Sequence, residues 1–278
     1  MKIGVAGMGI MGSGIAQLSA TSGHGVIATD VNRSFYDRAV ISMGKSLDKL
    51  IAKKIVTEEK EKILSRISYT EDLKDFSECD LIIEAVVENQ KEKVEFFRKI
   101  EPIVSQNAII SSNTSSISIT SLGASLKDPT RFLGVHFFNP VPLMNLIELV
   151  KGVKTSGQTV DRAIDFAKSV GKEYVVVNDS PGFVTTRIIA MLVNEGAFEF
   201  SEGLASKEDI DKALKLGGNF PMGPLTLGDL IGLDTTVNIM DIMYESFKDP
   251  KYRAAPILRK MVEAGKLGKK SGEGFYKY

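Results

Sequence analysis

The chain has 278 residues, 35 basic and 35 acidic side chains, a formal net charge of zero and one cysteine. That length is enough for one large domain or two ordinary ones with a buried core, and the even charge leaves no global field to recruit nucleic acid or an anionic membrane. A lone Cys79 excludes an internal disulfide and a Cys-x-x-Cys pair for zinc or redox exchange, which fits a reducing, cytoplasmic setting.

The opening MKIGVAGMG enters a strand and a glycine turn at once, so no exported leader is expected. No apolar run approaches the roughly 18–20 residues that cross a bilayer, and a soluble protein is expected. Strands are predicted at KIGVA, GVIAT, DLIIEAVV, AIIS, FLGVHF, LIELV and YVVV. Several are apolar without alternation, the pattern of strands covered on both faces. Between them, SGIAQLSATSG reads as a helix closed by glycine, and KEKVEFFRKIEPIV places Val94, Phe97 and Ile100 on one face. The segment 33–66 is long for a crossover and reads as two charged helices, a hairpin projecting from the sheet. Strands alternating with helices predict an α/β, doubly wound sheet over residues 1–182.

The cluster NDSPGF at 178–183 marks a boundary. Beyond it no strand is predicted. Helical periodicity runs through Val184, Ile188, Met191 and Leu192, then SKEDIDKALKL, then LTLGDLIGLDTTVNIMDIMYESF, then APILRKMVEAG. Residues 183–278 are therefore read as an all-helical second domain, too small to bury its apolar faces alone and expected to pack on the first domain and on a second copy.

Within GMGIMGSG, Gly7, Gly9 and Gly12 form G-x-G-x-x-G, with Ile10 and Met11 inside the turn. The pattern is weak alone. Here it follows a strand and opens a helix, so it reads as a Rossmann-type pyrophosphate turn that uses the helix N-terminus. Asp30, at the end of the second strand and about 20 residues on, can accept from a ribose diol and repel a 2′-phosphate. This ranks NAD first. Arg33, whose guanidinium can meet a 2′-phosphate, keeps NADP open.

His136 and Glu148 bracket HFFNPVPLMNLIE. A hairpin centred near Pro142 sets position 136 opposite a residue near 148, so imidazole and carboxylate become cross-strand neighbours in an apolar setting. Such a carboxylate fixes the ring tautomer and leaves the other nitrogen to exchange a proton with a substrate. Two polar groups that merely satisfy each other in a core are the competing account. His24, beside glycines at a helix end, reads as a cap or surface residue. The run SSNTSSISIT, 111–120, follows a strand end where doubly wound sheets bind ligands, and equally suits capping of the next helix. No Gly-x-Ser-x-Gly elbow and no His/Cys cluster is present, so neither acyl hydrolysis nor a metal is indicated.

Taken together, the glycine turn, EAVVEN, SNTSSISIT, HFFNPVPLMNLIELV, DSPGFV, PMGPLTLGDLIGLDT and GKKSGEGFYKY closely resemble the L-3-hydroxyacyl-CoA dehydrogenase family, particularly its short bacterial 3-hydroxybutyryl-CoA type. The resemblance covers essentially the whole chain. It implies oxidation of a 3-hydroxyacyl-CoA to the 3-ketoacyl-CoA, or the reverse, with hydride passing to or from nicotinamide. It implies that His136 takes the 3-hydroxyl proton, Glu148 orients it and Ser115 hydrogen-bonds the substrate oxygen. Glu88, Lys93, Asn113, Asn139 and Lys270 match family positions near the dinucleotide, and Ser46 and Lys53 match positions that meet the CoA portion. Ser46 and Lys53 share a helical face with Lys49, which without the resemblance reads as a solvated lysine stripe. Where the family has an asparagine touching substrate, this chain has Thr186, in PGFVTTR. The resemblance also implies an acyl-CoA held between the domains and a homodimer formed through the helical domain. Two other readings are a 3-hydroxyisobutyrate-type dehydrogenase, which shares the turn and helical domain but works through a lysine, and a non-catalytic dinucleotide-binding protein of the lens-crystallin kind.

Overall fold

The β-branched runs assemble into one eight-stranded sheet: β1 (Lys2–Ala6), β2 (Gly25–Thr29), β3 (Ile67–Tyr69), β4 (Leu81–Glu84), β5 (Ile109–Ser112), β6 (Phe132–Phe137), β7 (Leu146–Lys151) and β8 (Glu173–Asn178). Their spatial order is β3-β2-β1-β4-β5-β6-β7-β8. Neighbours are parallel except β6 and β7, which run antiparallel. The order reverses between β1 and β4, and such a switch point opens a crevice at the C-terminal ends of the strands. This is the Rossmann-type α/β architecture read from the sequence. The computed structural model describes residues 1–278, with two compact units, Met1–Asp179 and Ser180–Tyr278.

In the first unit the helices are α1 (Ile10–Thr21), α2 (Arg33–Ala52), α3 (Lys60–Leu64), α4 (Gln90–Ile100), α5 (Ile119–Gly123) and α6 (Gly157–Ser169). Ile15 and Leu18 of α1, Met43 and Leu47 of α2, Ile63 of α3 and Phe166 of α6 join Ile3, Val5, Ile83 and Leu149 of the sheet in one core. Each such side chain, fully buried, contributes about 1.5–3 kcal/mol. The hairpin read at 33–66 consists of α2 and α3, with Lys60 paired to Asp48 and Arg66 holding Glu58 through both guanidinium nitrogens.

Three details differ from the pattern read along the chain. β3 was missed, because three residues carry no period; it pairs with β2 at one edge of the sheet. At the other edge β8 leaves Val175 and Val176 exposed, so its apolar run is not a doubly covered strand. On α4, Phe97 and Ile100 are buried as expected, but Lys93 is buried too and Val94 only half so. The ion pairs described below turn the lysine inward.

The second unit is helical: α7 (Thr185–Ser201), α8 (Lys207–Gly217), α9 (Pro224–Ile231), α10 (Leu233–Phe247) and α11 (Pro256–Glu263). The single apolar run LTLGDLIGLDTTVNIMDIMYESF is two helices, because Gly232 at φ +106° breaks the run between α9 and α10. On α7 the inward face is Ala190, Val193, Asn194 and Ala197, while Val184 and Ile188 stay exposed. Small residues decide that choice. A Cβ on Gly196 would lie 2.8 Å from the Pro224 ring, and one on Gly228 2.7 Å from Val193, so these glycines permit the close approach of α7 and α9. Asp229, fully buried, accepts from the backbone N–H groups of Phe275 and Tyr276 and from the Tyr278 hydroxyl, which latches the C-terminal tail. No helix of the chain is long and apolar enough to cross a membrane.

Candidate active site

The glycine turn begins where β1 ends. Gly7 has φ +92°, and a Cβ there would sit 2.5 Å from the Ala85 carbonyl oxygen, so the turn rests directly on the backbone that follows β4. A Cβ on Gly12 would lie 1.7 Å from the Gly7 oxygen. Around a Cβ on Gly9 there is nothing within 4 Å, so that glycine faces open space, the cradle a pyrophosphate requires. Asn32, Asn89 and Ser156 cap α2, α4 and α6 through their side chains, but α1 starts on Gly9 with no side-chain cap and no acidic residue in its first turn. The N–H groups around exposed Ile10 and half-buried Met11 therefore suit an anion. Asp30 steadies the turn by accepting from the Met8 N–H at 2.6 Å and also accepts from Val31 N–H at 2.7 Å. Arg33 lies over the Tyr69 ring, 5.5 Å from its centroid, and 3.6 Å from Asp37. These features fit a dinucleotide.

β6 and β7 pair with His136 directly opposite Glu148. The ring Nδ1 lies 2.8 Å from Glu148 Oε2, with the two side chains 7% and 0% exposed. A carboxylate only accepts, so Nδ1 carries the proton of that bond and Nε2 is the ring nitrogen that stays unprotonated in the neutral imidazole. The Phe138 ring lies against the imidazole, centroids 4.6 Å apart. Asn113, at the end of β5, accepts from Phe137 N–H at 2.9 Å and ties β6 to its neighbour. The connection from β6 to β7 rests on α1: a Cβ on Gly14 would come within 2.9 Å of Val141. Buried Lys172 supports the same connection by donating to the Pro142 carbonyl at 3.3 Å. Asn139 is exposed within it, three residues past the histidine.

A buried charge network stands beside this pair. Glu84, the last residue of β4, accepts from Lys93 Nζ at 2.6 Å, the Ser112 hydroxyl at 2.6 Å and Val86 N–H at 2.8 Å. Lys93, 1% exposed, also reaches Glu88 at 3.2 Å. The other Glu88 oxygen gathers the loop that carries Ser115: it accepts from the hydroxyls of Thr114 and Ser116 and from the N–H groups of Ser115 and Ser116. Burial pushes the Glu84 carboxyl up, opposed by Lys93 and its hydrogen-bond donors. For Glu88 burial also opposes ionisation, but Lys93 and the two hydroxyls outweigh it and hold the carboxyl below its ordinary range.

Of the residues singled out in the sequence, Gly7, Gly9, Gly12, Asp30, Glu88, Lys93, Asn113, Ser115, His136 and Glu148 lie on or just beyond the C-terminal halves of the strands β1, β2, β4, β5 and β6 or on their immediate partners. Ser46 stands on α2 and accepts from Gln17 of α1 at 3.0 Å, while Lys53 is exposed at the C-cap of α2. Thr186 occupies the first turn of α7, half-buried, and Lys270 is ion-paired with Asp234 at 2.6 Å; both belong to the second unit. His24 is partly exposed, near the N-terminal amine and 2.8 Å from the Ser169 hydroxyl, which suits the surface role read for it. Thr114 and Ser116 lie in the run SSNTSSISIT, whose hydroxyls mark it in the sequence, while Glu84, Gly14 and Gln17 were missed; of these three only Glu84 offered a signal, a charge inside the apolar run DLIIEAVV.

Residues 2–180 match the family model described as "3-hydroxyacyl-CoA dehydrogenase, NAD binding domain", and residues 182–278 match its C-terminal domain. A "Probable 3-hydroxybutyryl-CoA dehydrogenase" of Deinococcus radiodurans is 49% identical over 278 residues, covering 100% of both chains. The 3-hydroxybutyryl-CoA dehydrogenase of Clostridioides difficile is 45% identical over 100% of this chain and 99% of its own. Among solved structures, (S)-3-hydroxybutyryl-CoA dehydrogenase from Ralstonia eutropha superimposes with a TM-score of 0.96 at 46% identity, covering 100% of this chain and 98% of that one.

Proposed function

The chain belongs to the 3-hydroxyacyl-CoA dehydrogenase family, and on that premise we propose that it interconverts (S)-3-hydroxybutyryl-CoA and acetoacetyl-CoA as an NAD-dependent oxidoreductase. The observation that carries the chemistry is the buried contact of 2.8 Å between His136 Nδ1 and Glu148 Oε2. Glu148 holds the imidazole in one tautomer, and Nε2 removes the proton of the 3-hydroxyl on oxidation or returns it on reduction. Ser115, on the loop gathered by Glu88, hydrogen-bonds the substrate oxygen. Gly7, Gly9, Ile10, Met11 and Gly12 hold the pyrophosphate, Asp30 the ribose diol, and Glu88, Lys93, Asn113, Asn139 and Lys270 complete the dinucleotide contacts. When bound, the nicotinamide accepts or donates the hydride at carbon 3.

Asp30 supports NAD over NADP, and the placement of Arg33 over Tyr69 and beside Asp37 leaves that guanidinium turned to its own side chains rather than to a 2′-phosphate. Ser46 on α2 and Lys53 at its C-cap receive the CoA portion; Ser46 accepts from Gln17, which leaves its own proton to donate. Thr186 takes the position of the family asparagine. A homodimer through the helical unit, in the cytoplasm, completes the reading, and the exposed Val184, just before α7, and Ile188 on α7 support the association. A dimeric mass in solution is the expected result.

The deciding experiment is acetoacetyl-CoA reduction with NADH and NADPH in parallel. Turnover with NADH preferred is expected. Tight dinucleotide binding with no turnover would instead favour the non-catalytic reading, toward which Thr186 leans.

A further inference from the structure

Proton transfer at His136 gives no role to the three charges beneath the crest of β4. Lys93 is 1% exposed and lies closer to Glu84, at 2.6 Å, than to Glu88, at 3.2 Å. Glu84 is fully buried and reaches no solvent, whereas the side chain of Glu88 is 36% exposed. The network holds two carboxylates and one ammonium, and its surplus negative charge stands on the member that faces outward. Were Glu84 uncharged, Lys93 would be left to Glu88 alone and the outward side would carry an ion pair with no net charge.

The position of that anion matters. Glu88 follows β4, against whose continuation the glycine turn of β1 rests through Gly7 and Ala85. Its carboxylate accepts from the N–H of Ser115 at 3.2 Å. A nicotinamide serving the carbon that Ser115 and His136 meet would be held beside this loop, which Glu88 gathers. Oxidised nicotinamide carries a positive charge that the reduced ring lacks. A net negative charge nearby, partly withdrawn from water, therefore distinguishes the two forms.

We propose that Glu84 is a positioning residue that balances the charge of Lys93, so that the group of three keeps one net negative charge, carried toward the outside by Glu88, which favours the oxidised nicotinamide over the reduced one; this rests on the dehydrogenase reading above. Glu84 acts through Lys93 and touches neither substrate nor dinucleotide.

The test measures the dissociation constants of NAD⁺ and NADH separately, by calorimetry on the full chain without acyl-CoA. Glu84→Gln keeps the volume and removes the charge. NAD⁺ binding is expected to weaken by about tenfold and NADH binding by less than about twofold. The double variant Glu84→Gln with Lys93→Gln again leaves Glu88 as sole charge; losing Lys93, itself assigned to the dinucleotide, should weaken both nucleotides alike, while the ratio of the two constants should return to within about twofold of the parent value. Equal weakening of both nucleotides in folded Glu84→Gln, or a double variant that keeps the shifted ratio, would overturn the proposal. If Glu84→Gln does not fold, the double variant decides alone: a parental ratio supports the proposal and a ratio shifted toward NADH ends it. A parent chain that binds both nucleotides yet fails to reduce acetoacetyl-CoA would remove the dehydrogenase reading while the ratio still tests the charge argument.

Discussion

Glu84 and Glu148 in the sheet and Asp229 in the helical unit are all fully buried carboxylates, yet they face different company. Glu148 meets an imidazole and Glu84 an ammonium. Asp229 meets two backbone N–H groups and a tyrosine hydroxyl, and Asp211 likewise meets the N–H groups of Leu225 and Thr226, the Thr226 hydroxyl and the Tyr276 hydroxyl. Buried charge is costly in either place, and it persists only where partners satisfy it. An acid matched to a group that changes its protonation or carries a charge can take part in chemistry. A fully buried acid whose partners are peptide N–H groups and hydroxyls alone is fixed and holds chain to chain. The same burial thus marks a working site in the first unit and a latch in the second.

The comparison breaks first at His136. His136→Ala should lower kcat for acetoacetyl-CoA reduction by about 10²–10⁴-fold, the usual worth of a general acid or base, and should also lower the melting temperature, because fully buried Glu148 loses the imidazole that it meets. Retained turnover would reduce the His136–Glu148 pair to a core contact. Its counterpart in the second unit is Asp229→Ala, which strands the N–H groups of Phe275 and Tyr276. A cost of about 2–4 kcal/mol in urea unfolding is expected, because each buried donor left without an acceptor costs about 1–3 kcal/mol. If that variant unfolds like the parent, the latch is not a latch.

A smaller effect sharpens the link between the turn and the histidine. Gly14→Ala drives a Cβ to within 2.9 Å of Val141, in the connection that joins His136 to Glu148. Overpacking of this kind costs about 1–3 kcal/mol. Because the displaced segment carries Asn139 and follows His136, KM for NADH should rise along with the loss of stability. Steady-state kinetics beside a thermal melt separate the two.

What could be read from the chain and what could not follow from the range of each interaction. The glycine turn is local: φ +92° at Gly7 and the close packing of Gly12 are met within a few residues, and the spacing displays them. His136 and Glu148 are distant along the chain but symmetrical about Pro142, so hairpin geometry alone puts them in register. Gly14 looked like one more glycine of the turn, since nothing local names Val141 as its neighbour. Lys93 was hidden differently. On α4 it is one of several lysines between glutamates, and helical period alone sends the apolar Val94 inward; only the strand end of β4, with Glu84 at its tip, pulls the lysine face toward the core. The break at Gly232 was invisible because apolar period continues across it, and a positive φ is a property of the fold rather than of the pattern.

The smallest expected effect concerns charge that is paired but not buried. Glu58, between α2 and α3, accepts from both guanidinium nitrogens of Arg66 and lies 3.0 Å from Lys62. The hydrogen bonds from Arg66, then from Lys62, hold its carboxyl down at about 2, against 4.5 ordinarily. A carboxyl depressed in the folded state binds fewer protons there than in the unfolded chain. Its contribution to stability is therefore complete above about pH 4.5 and is lost as the pH falls through about 2. Because solvent screens the pair, the loss should be slight. Glu58→Gln should match the parent melting temperature most closely near pH 2 and differ most at neutral pH, with the gap narrowing below pH 4.5. A gap that widens on acidification would mean that this carboxylate is tied to the hairpin in some other way, and that surface pairs in this unit follow the logic of its buried ones.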